Sequence, residues 1–523
     1  MPVQKRFPHA IPTRQFTLEV IAVFVILVIA FHFVSERIDH RLIPGGDEGS
    51  WMAVASQLVH GEGFTTRWLE LPYLQQYNLP RPDDFRFPVL VALLAIAFKL
   101  FGISYAVGLN SILAIFLCNC LVLYLVLRRI YGYRTSIIVL ILTVFSLLQL
   151  QWNSAVYVEG LFGLVLSMTV YLATCGDFTK RKTWIALGFV IGALYLVRPN
   201  GILLAVGLIW QYLRMRKSNP AKLRYPLYAL SMMFAVMLPW LFRTAVHFGN
   251  PFHVAGAAGF MQATYNGPPS GSFLIFIREN GVLFPLRATM IGIKNIIQEL
   301  HFFEHGLEII PLLFALIALV KRKPFYNYGI AAGFTLTFIL CAYAGYKSWA
   351  GLRYFSSFLP FVYAYGINVS VEYADKAFTK IAKKPMVISP WIITLLFLAP
   401  VFYPHRYYER IYSSPPADRS RISEHISALN GMLTGHEAYF AGNLGQLNFM
   451  TVYNCVGIQD GFDSTDVEKA LVHFQPRILA ITKAEACDQR IGAIMRQIER
   501  NGYMLHIVTE TRLGIYYSLQ HKK

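Results

Sequence analysis

The sequence predicts an all-α polytopic membrane protein that carries a small α/β domain at its carboxyl-terminal end. Two observations predict it. The 523 residues are 55% hydrophobic and only 15% charged, with a mean hydropathy of +0.45, whereas a soluble chain carries about a quarter charged residues. The apolar residues also gather in runs of about 17–25, the length that crosses a hydrocarbon core of about 30 Å. A net charge of +18 would suit a nucleic-acid binder, but the excess Lys and Arg lie in short loops between apolar runs. The charge therefore reports membrane topology, with no nucleic-acid partner.

About eleven spans follow, near 16–34, 104–127, 135–151, 159–175, 184–197, 199–213, 225–242, 305–320, 326–343, 354–372 and 386–403. With a cytoplasmic amino terminus, each basic cluster falls inside: Lys5, Arg6 and Arg14; Arg128, Arg129 and Arg134; Lys180, Arg181 and Lys182; Arg214 to Arg224; Lys321 to Lys323; Lys376 to Lys384. An odd number of spans puts the carboxyl terminus outside. The first run is long and followed by SERIDH, with no small-residue cleavage pattern, so it reads as a retained span. Residues 87–101 are apolar but short and contain Lys99, which predicts an interfacial or partly inserted helix.

The spans belong to a region 1–403, and two stretches lie outside the membrane. Residues 35–86 form an outer loop too long to be a mere connector. In the tail, 404–523, charge returns and the strand-like runs 437–442, 478–482 and 514–519 alternate with helical patterns such as 485–501. The tail holds Cys455 and Cys487, which either pair in an oxidising compartment or remain free. Cys118, Cys120, Cys175 and Cys341 lie within or at the ends of spans and read as small packing residues. No CxxC or HExxH spacing occurs.

Several charged residues are not explained by packing or by the charge rule. From Gly49 the apolar positions Trp51, Ala55, Leu58 and Val59 fall at helical spacing, which predicts a short amphipathic helix lying on the outer bilayer surface. Asp47 and Glu48 open it, either as a cap and its dipole partner or as a general base held at the membrane surface. Asp83, Asp84 and Arg86 precede the 87–101 helix, where the default is a solvated loop; Arg86 nevertheless sits at headgroup depth on the side of Asp47. Glu159 stands at the outer end of the fourth span, where a charge costs far less than at the centre. Arg198-Pro199-Asn200 interrupts two short apolar runs, and the proline forces a break that exposes Arg198 and Asn200. Lys347 and Arg353 are a basic pair in a short outer loop among Tyr346, Trp349 and Tyr354. With Arg198 they suggest an outward-facing phosphate site, which Arg243 and His247 would join from the end of the seventh span.

The order of these features is GDEGSWMAVASQLVHGEGF after the first span, RFPVLVALLAIAFKLFG, a span-edge VEG, a span-breaking RPNG and LRYFSSFLP in a late outer loop. Over roughly 16–372 it resembles the GT-C superfamily of membrane glycosyltransferases, and within it the protein-O-mannosyltransferase and lipid A aminoarabinose transferase branch. The resemblance implies a transferase that takes a sugar, hexose or pentose, from a polyprenyl-phosphate donor to a glycan, lipid or protein acceptor on the extracytoplasmic face. It puts the general-base role on Asp47, with Glu48 beside it, and the grip on the lipid phosphate on Arg198 and Arg353 first, with Arg86 and Lys347 as further candidates. The sequence has Arg-Phe-Pro where many members have Lys or His before proline, and it lacks the Arg or Tyr that usually follows the acidic pair. Sugar and acceptor are therefore left open.

A lipid phosphate needs no nucleotide fold, and no P-loop or dinucleotide fingerprint is present. A divalent cation, Mg²⁺ or Mn²⁺, would suit the oxygen ligands of Asp47 or Glu48, but the sequence requires none. Loop lengths and the lack of eukaryotic sorting signals favour a bacterial inner membrane with a periplasmic tail. The alternative from another class is a lipid-linked sugar flippase or transporter, which would place ionisable residues near the bilayer midplane and show internal repeats; neither is found here. A third reading, an assembly protein acting through its tail, predicts that the tail alone suffices.

Overall fold

The computed structural model describes residues 13–42, 44–45, 47–69, 79–218, 224–253, 273–304, 309–320, 328–346, 350–382, 418, 420–435, 437–457 and 464–521. Among the described residues three helices are long and apolar enough to cross a membrane unaided: α1 (Thr13–Asp39) and, further along the chain, Tyr105–Tyr131 and Tyr225–Phe248. On α1, Leu18, Ile21, Phe24, Val28 and Phe31 stay exposed while Val23, Ile26, Ala30 and Val34 are buried, so one face packs on protein and the other is left for lipid.

The first outer loop differs most from its sequence reading. Its helix α2 (Glu48–Val59) is buried from Glu48 to Gln57 and does not lie on a surface. The apolar stripe had suggested one wet face, but the other face consists of small residues, Gly49, Ala53 and Ser56, which let neighbouring backbone approach. After the short strands β1 (Thr65–Thr66), β2 (Trp68–Leu69) and β3 (Arg81–Pro82) comes α3 (Pro88–Phe101), which covers one side of α2. Helix α3 buries Leu90, Val91, Leu94 and Phe98 and leaves Leu93, Ile96, Leu100 and Phe101 exposed.

The helices then run α4 (Tyr105–Tyr131), α5 (Tyr133–Phe145), α6 (Leu147–Asn153), α7 (Glu159–Cys175) and α8 (Arg181–Val197). A 3-10 turn over Pro199–Ala205 leads into α9 (Val206–Ser218) and α10 (Tyr225–Phe248). The run 135–151 is bent by 63° between α5 and α6. The bend falls at Ser146, whose hydroxyl accepts from the Gln149 amide at 3.1 Å and starts a new helix. Counting that pair, up to four crossings among the described residues pass by length and composition; α7 has 17 residues, and the expected span 386–403 lies outside the described residues.

Two helices that the apolar runs did not suggest follow, α11 (Phe273–Asn280) and α12 (Phe284–Glu304). Then come α13 (Ile309–Val320), α14 (Tyr328–Ala344), the short α15 (Ala350–Phe355) and α16 (Leu359–Ala382).

In the tail, α17 (Ser420–Met432), β4 (Ala438–Ala441), β5 (Asn454–Gly457), α18 (Ser464–Phe474), β6 (Ile478–Thr482), α19 (Gln489–Arg500), β7 (Tyr503–Glu510) and β8 (Gly514–His521) form the α/β unit. The three strand-like runs are β4, β6 and β8. The six-stranded sheet has the order β2-β5-β4-β6-β8-β7, so its edge strand comes from the first outer loop. Strand β2 runs parallel to β5, with Trp68 opposite Cys455 and Leu69 opposite Val456. Cys455 is buried and Cys487 exposed, and both are free thiols, which removes the pairing alternative.

Candidate active site

Asp47 immediately precedes α2 with φ −80° and ψ −7°, and its carboxylate makes no capping bond. A capping side chain needs an extended backbone to turn back on the helix amides, and Asp47 already has helical angles. Its oxygens go elsewhere: Arg86 Nη2 donates to Oδ1 at 3.3 Å and Arg353 Nη1 to Oδ2 at 2.9 Å. The Asp47 side chain remains 41% exposed, far more than either guanidinium.

Glu159 opens α7 and is almost fully buried. Its Oε1 accepts from Arg198 Nη2 at 2.8 Å and from Arg353 Nε at 2.7 Å. Arg198 ends α8 in the extended conformation that the following proline imposes, φ −158° and ψ 134°, which turns it out of the helix and toward Glu159. Aromatic rings back the guanidiniums: Arg353 lies 4.1 Å from the Tyr157 ring and 5.2 Å from that of Trp152, Arg198 lies 4.8 Å from Tyr354, and Arg86 lies 5.3 Å from Trp51.

Asp47, Arg86, Glu159, Arg198, Arg353 and Tyr354 thus form one cluster with three guanidiniums against two carboxylates, a formal excess of one positive charge. Burial works to raise the Asp47 carboxyl, but Arg86, Arg353 and Arg198 outweigh it and hold the group well below the usual carboxylate range. Two buried atoms of the cluster, Arg198 Nη1 and Glu159 Oε2, have no hydrogen-bond partner. A buried open donor and a buried open acceptor are costly unless something fills them.

Glu48 stands apart. Its buried carboxylate is held by Arg41 Nη2, the Gly45 amide at 3.0 Å, the Tyr105 hydroxyl at 3.1 Å and the Val156 amide at 2.9 Å. Successive helical residues point about 100° apart, so the acidic pair diverges, one side chain into the site and one into the protein.

Asp83 and Asp84 are buried, not solvated. Asp83 Oδ1 accepts from the amides of Phe85 at 3.2 Å and Arg86 at 2.7 Å, a turn that aims Arg86 at Asp47. Asp84 pairs with Arg81 and with His253, each at 2.9 Å. Arg243 does not join the cluster: it donates to the carbonyls of Phe64 at 2.8 Å and Asp83 at 2.9 Å, pinning α10 to the first loop. Asn200 is half-buried and makes no bond to the cluster, and Lys347 lies outside the described residues.

Ser50, Trp152 and Tyr157 were missed. Ser50 receives Arg86 Nε at 3.1 Å and donates to the Asp47 carbonyl at 2.9 Å. Its spacing of three from Asp47 was a usable signal; the two aromatics had none beyond their nearness to Glu159. For a divalent cation the donor set does not fit. Both Asp47 oxygens face guanidiniums, Glu48 is turned away, and among the described residues no three His, Cys, Asp or Glu side chains come together as ligands.

Residues 81–242, a stretch that includes Arg86, Glu159 and Arg198, match the family model of dolichyl-phosphate-mannose-protein mannosyltransferases. The fold is similar to that of the oligosaccharyltransferase AglB from Archaeoglobus fulgidus. The structure of AglB in complex with an inhibitory peptide and a dolichol-phosphate aligns with a TM-score of 0.57 at 12% identity, over 98% of this chain and 75% of AglB. The same archaeal enzyme in its complex with Zn and sulfate aligns at 0.55 and 14%, over 95% and 73%. ArnT from Cupriavidus metallidurans, bound to undecaprenyl phosphate, aligns at 0.49 and 13%, over 97% and 98%. No curated protein matches the chain by sequence. The resemblance to the GT-C superfamily, drawn from short motifs, is borne out by the family match and the shared architecture.

Proposed function

We propose that the protein is an integral-membrane glycosyltransferase that moves a sugar from a polyprenyl-phosphate donor to an acceptor hydroxyl on the extracytoplasmic face, with Asp47 as general base. One observation carries the reading: a half-exposed carboxylate shares Arg353 with a buried carboxylate, inside a cluster that has one cation in excess and an unfilled guanidinium donor on Arg198. A phosphate anion supplies the missing charge and the missing acceptor. The family match, whose description names a dolichyl-phosphate sugar, and the dolichol-phosphate in the AglB complex support this donor class.

In this reading the acceptor oxygen attacks the anomeric carbon, Asp47 takes its proton, and the bond from that carbon to the lipid phosphate breaks. Arg198 and Arg353, with Arg86, stabilise the phosphate as it leaves. The resting ion pairs make Asp47 a poor base. A phosphate that draws Arg353 toward itself removes one of the charges depressing Asp47, so donor binding makes it a better base before the acceptor reacts. The acidic pair divides the work: Asp47 meets substrate and Glu48 anchors the loop. The loop charges support a cytoplasmic amino terminus, with the site and the 404–523 domain outside, in a bacterial inner membrane.

The test is transfer from a panel of radiolabelled polyprenyl-phosphate sugars in membranes carrying wild type or Asp47→Asn. Consumption of one donor by wild type alone supports the reading and identifies the sugar and the acceptor. No consumption, with lipid movement across liposomes by the purified protein, would make the cluster a translocation gate.

A further inference from the structure

We propose that Gly49 and Gln446 are positioning residues through which the tail domain sets the place of Asp47; this rests on the reading of Asp47 as the base. Among the described residues, three contacts join the first outer loop and α3 to the tail. The first is the β2–β5 pairing, in which the Cys455 amide donates to the Arg67 carbonyl at 2.9 Å and Arg67 Nη1 to Asn454 Oδ1 at 3.3 Å. The second is a stack of Phe98 on Phe449, 6.3 Å between ring centres and 11° between planes.

The third bears on the site. The first turn of α2 lies against the 3-10 helix Asn443–Met450, so closely that a Cβ at Gly49 would come within 2.5 Å of both the carbonyl oxygen and the Oε1 of Gln446. Gln446 is itself buried, and its Oε1 has no hydrogen-bond partner, so it acts as a spacer and not as a polar tether.

Gly49 follows Asp47 by two residues and precedes Ser50, which bonds the Asp47 carbonyl and receives Arg86. A displacement of this turn therefore reaches Asp47 directly. Arg198 and Arg353 stand on other elements, the end of α8 and α15. The tail thus fixes the base relative to the phosphate grip, and loss of the contact separates proton removal from donor binding.

Gly49→Ala in the full-length protein should lower kcat at least about tenfold while donor KM stays within about twofold, since misplacement of a reacting group by about 1 Å costs on the order of 10²-fold. Gln446→Ala, which leaves α2 unaltered and only removes the spacer, should show the same split at about threefold. Hydrogen exchange of both variants provides a readout independent of transfer: the amides of 48–59 and 443–450 should exchange faster together. Wild-type kcat in both variants, or a fall explained wholly by less folded protein, overturns the proposal, as does exchange that rises in neither segment. If wild type transfers no sugar but the two segments still loosen together, the contact stands and the assignment of Asp47 as the base falls.

Discussion

Arg353 bonds two carboxylates at once, Asp47 through Nη1 at 2.9 Å and Glu159 through Nε at 2.7 Å. Only a planar fork presents two donors in those directions, so the residue is both the counter-ion of the exposed acid and the organiser of the buried one. Arg353→Ala should raise donor KM more than Arg198→Ala, because it leaves both Asp47 and Glu159 short of a cation. Arg353→Lys should recover little of the loss, since an ammonium is a point charge. Donor saturation curves for the three variants check the order.

Asp47→Asn should cut kcat by about 10²–10⁴-fold, the range of a lost general base. Donor KM should change far less, because the substitution removes no cation from the phosphate grip. Steady-state transfer at fixed acceptor, with membrane levels normalised by immunoblot, measures both.

Glu48→Ala should act on folding instead of chemistry. Its carboxylate has four partners and no exposure, and its removal strands Arg41 and the Val156 amide, a loss of about 3–5 kcal/mol for a broken buried pair. Thermal unfolding in detergent should fall well below that of Asp47→Asn, whose side chain is half exposed.

Acid should loosen the tail through His425. Burial pushes this imidazole down to about 4 from 6.5, and its Nδ1 is hydrogen-bonded to the Tyr516 hydroxyl at 2.6 Å. The unfolded chain takes up a proton below about pH 6.5 while the folded one does not until about pH 4. Stability is therefore lost as pH falls through that window, by an amount on the order of 3 kcal/mol. The slope of thermal stability against pH between 6.5 and 4 should flatten in His425→Gln.

Much of the architecture was legible because its signal is local. The run 16–34 lies within α1 and all of 104–127 but its first residue, the N-cap Ser104, lies within α4, since a span declares itself by length and hydropathy. Strands β4, β6 and β8 announced themselves as apolar runs bounded by polar residues. The cluster was partly legible too: Asp47, Glu159, Arg198 and Arg353 stood out because neither packing nor the charge rule accounted for them. Arg243 stood out for the same reason and has another task, since an unexplained charge at a span edge says nothing of which partner it meets.

By itself the sequence determined the apolar helices, the strands of the tail and the break at Arg198, all consequences of local composition and backbone stereochemistry. Only the tertiary structure decided that α2 is buried between α3 and the tail, that Trp68 and Leu69 complete a sheet beginning more than three hundred residues later, and that Glu48 turns inward while Asp47 meets the arginines. Those outcomes depend on which surfaces meet across the chain. A stripe of small residues beside an apolar stripe reads the same along the sequence whether lipid, water or another helix lies against it.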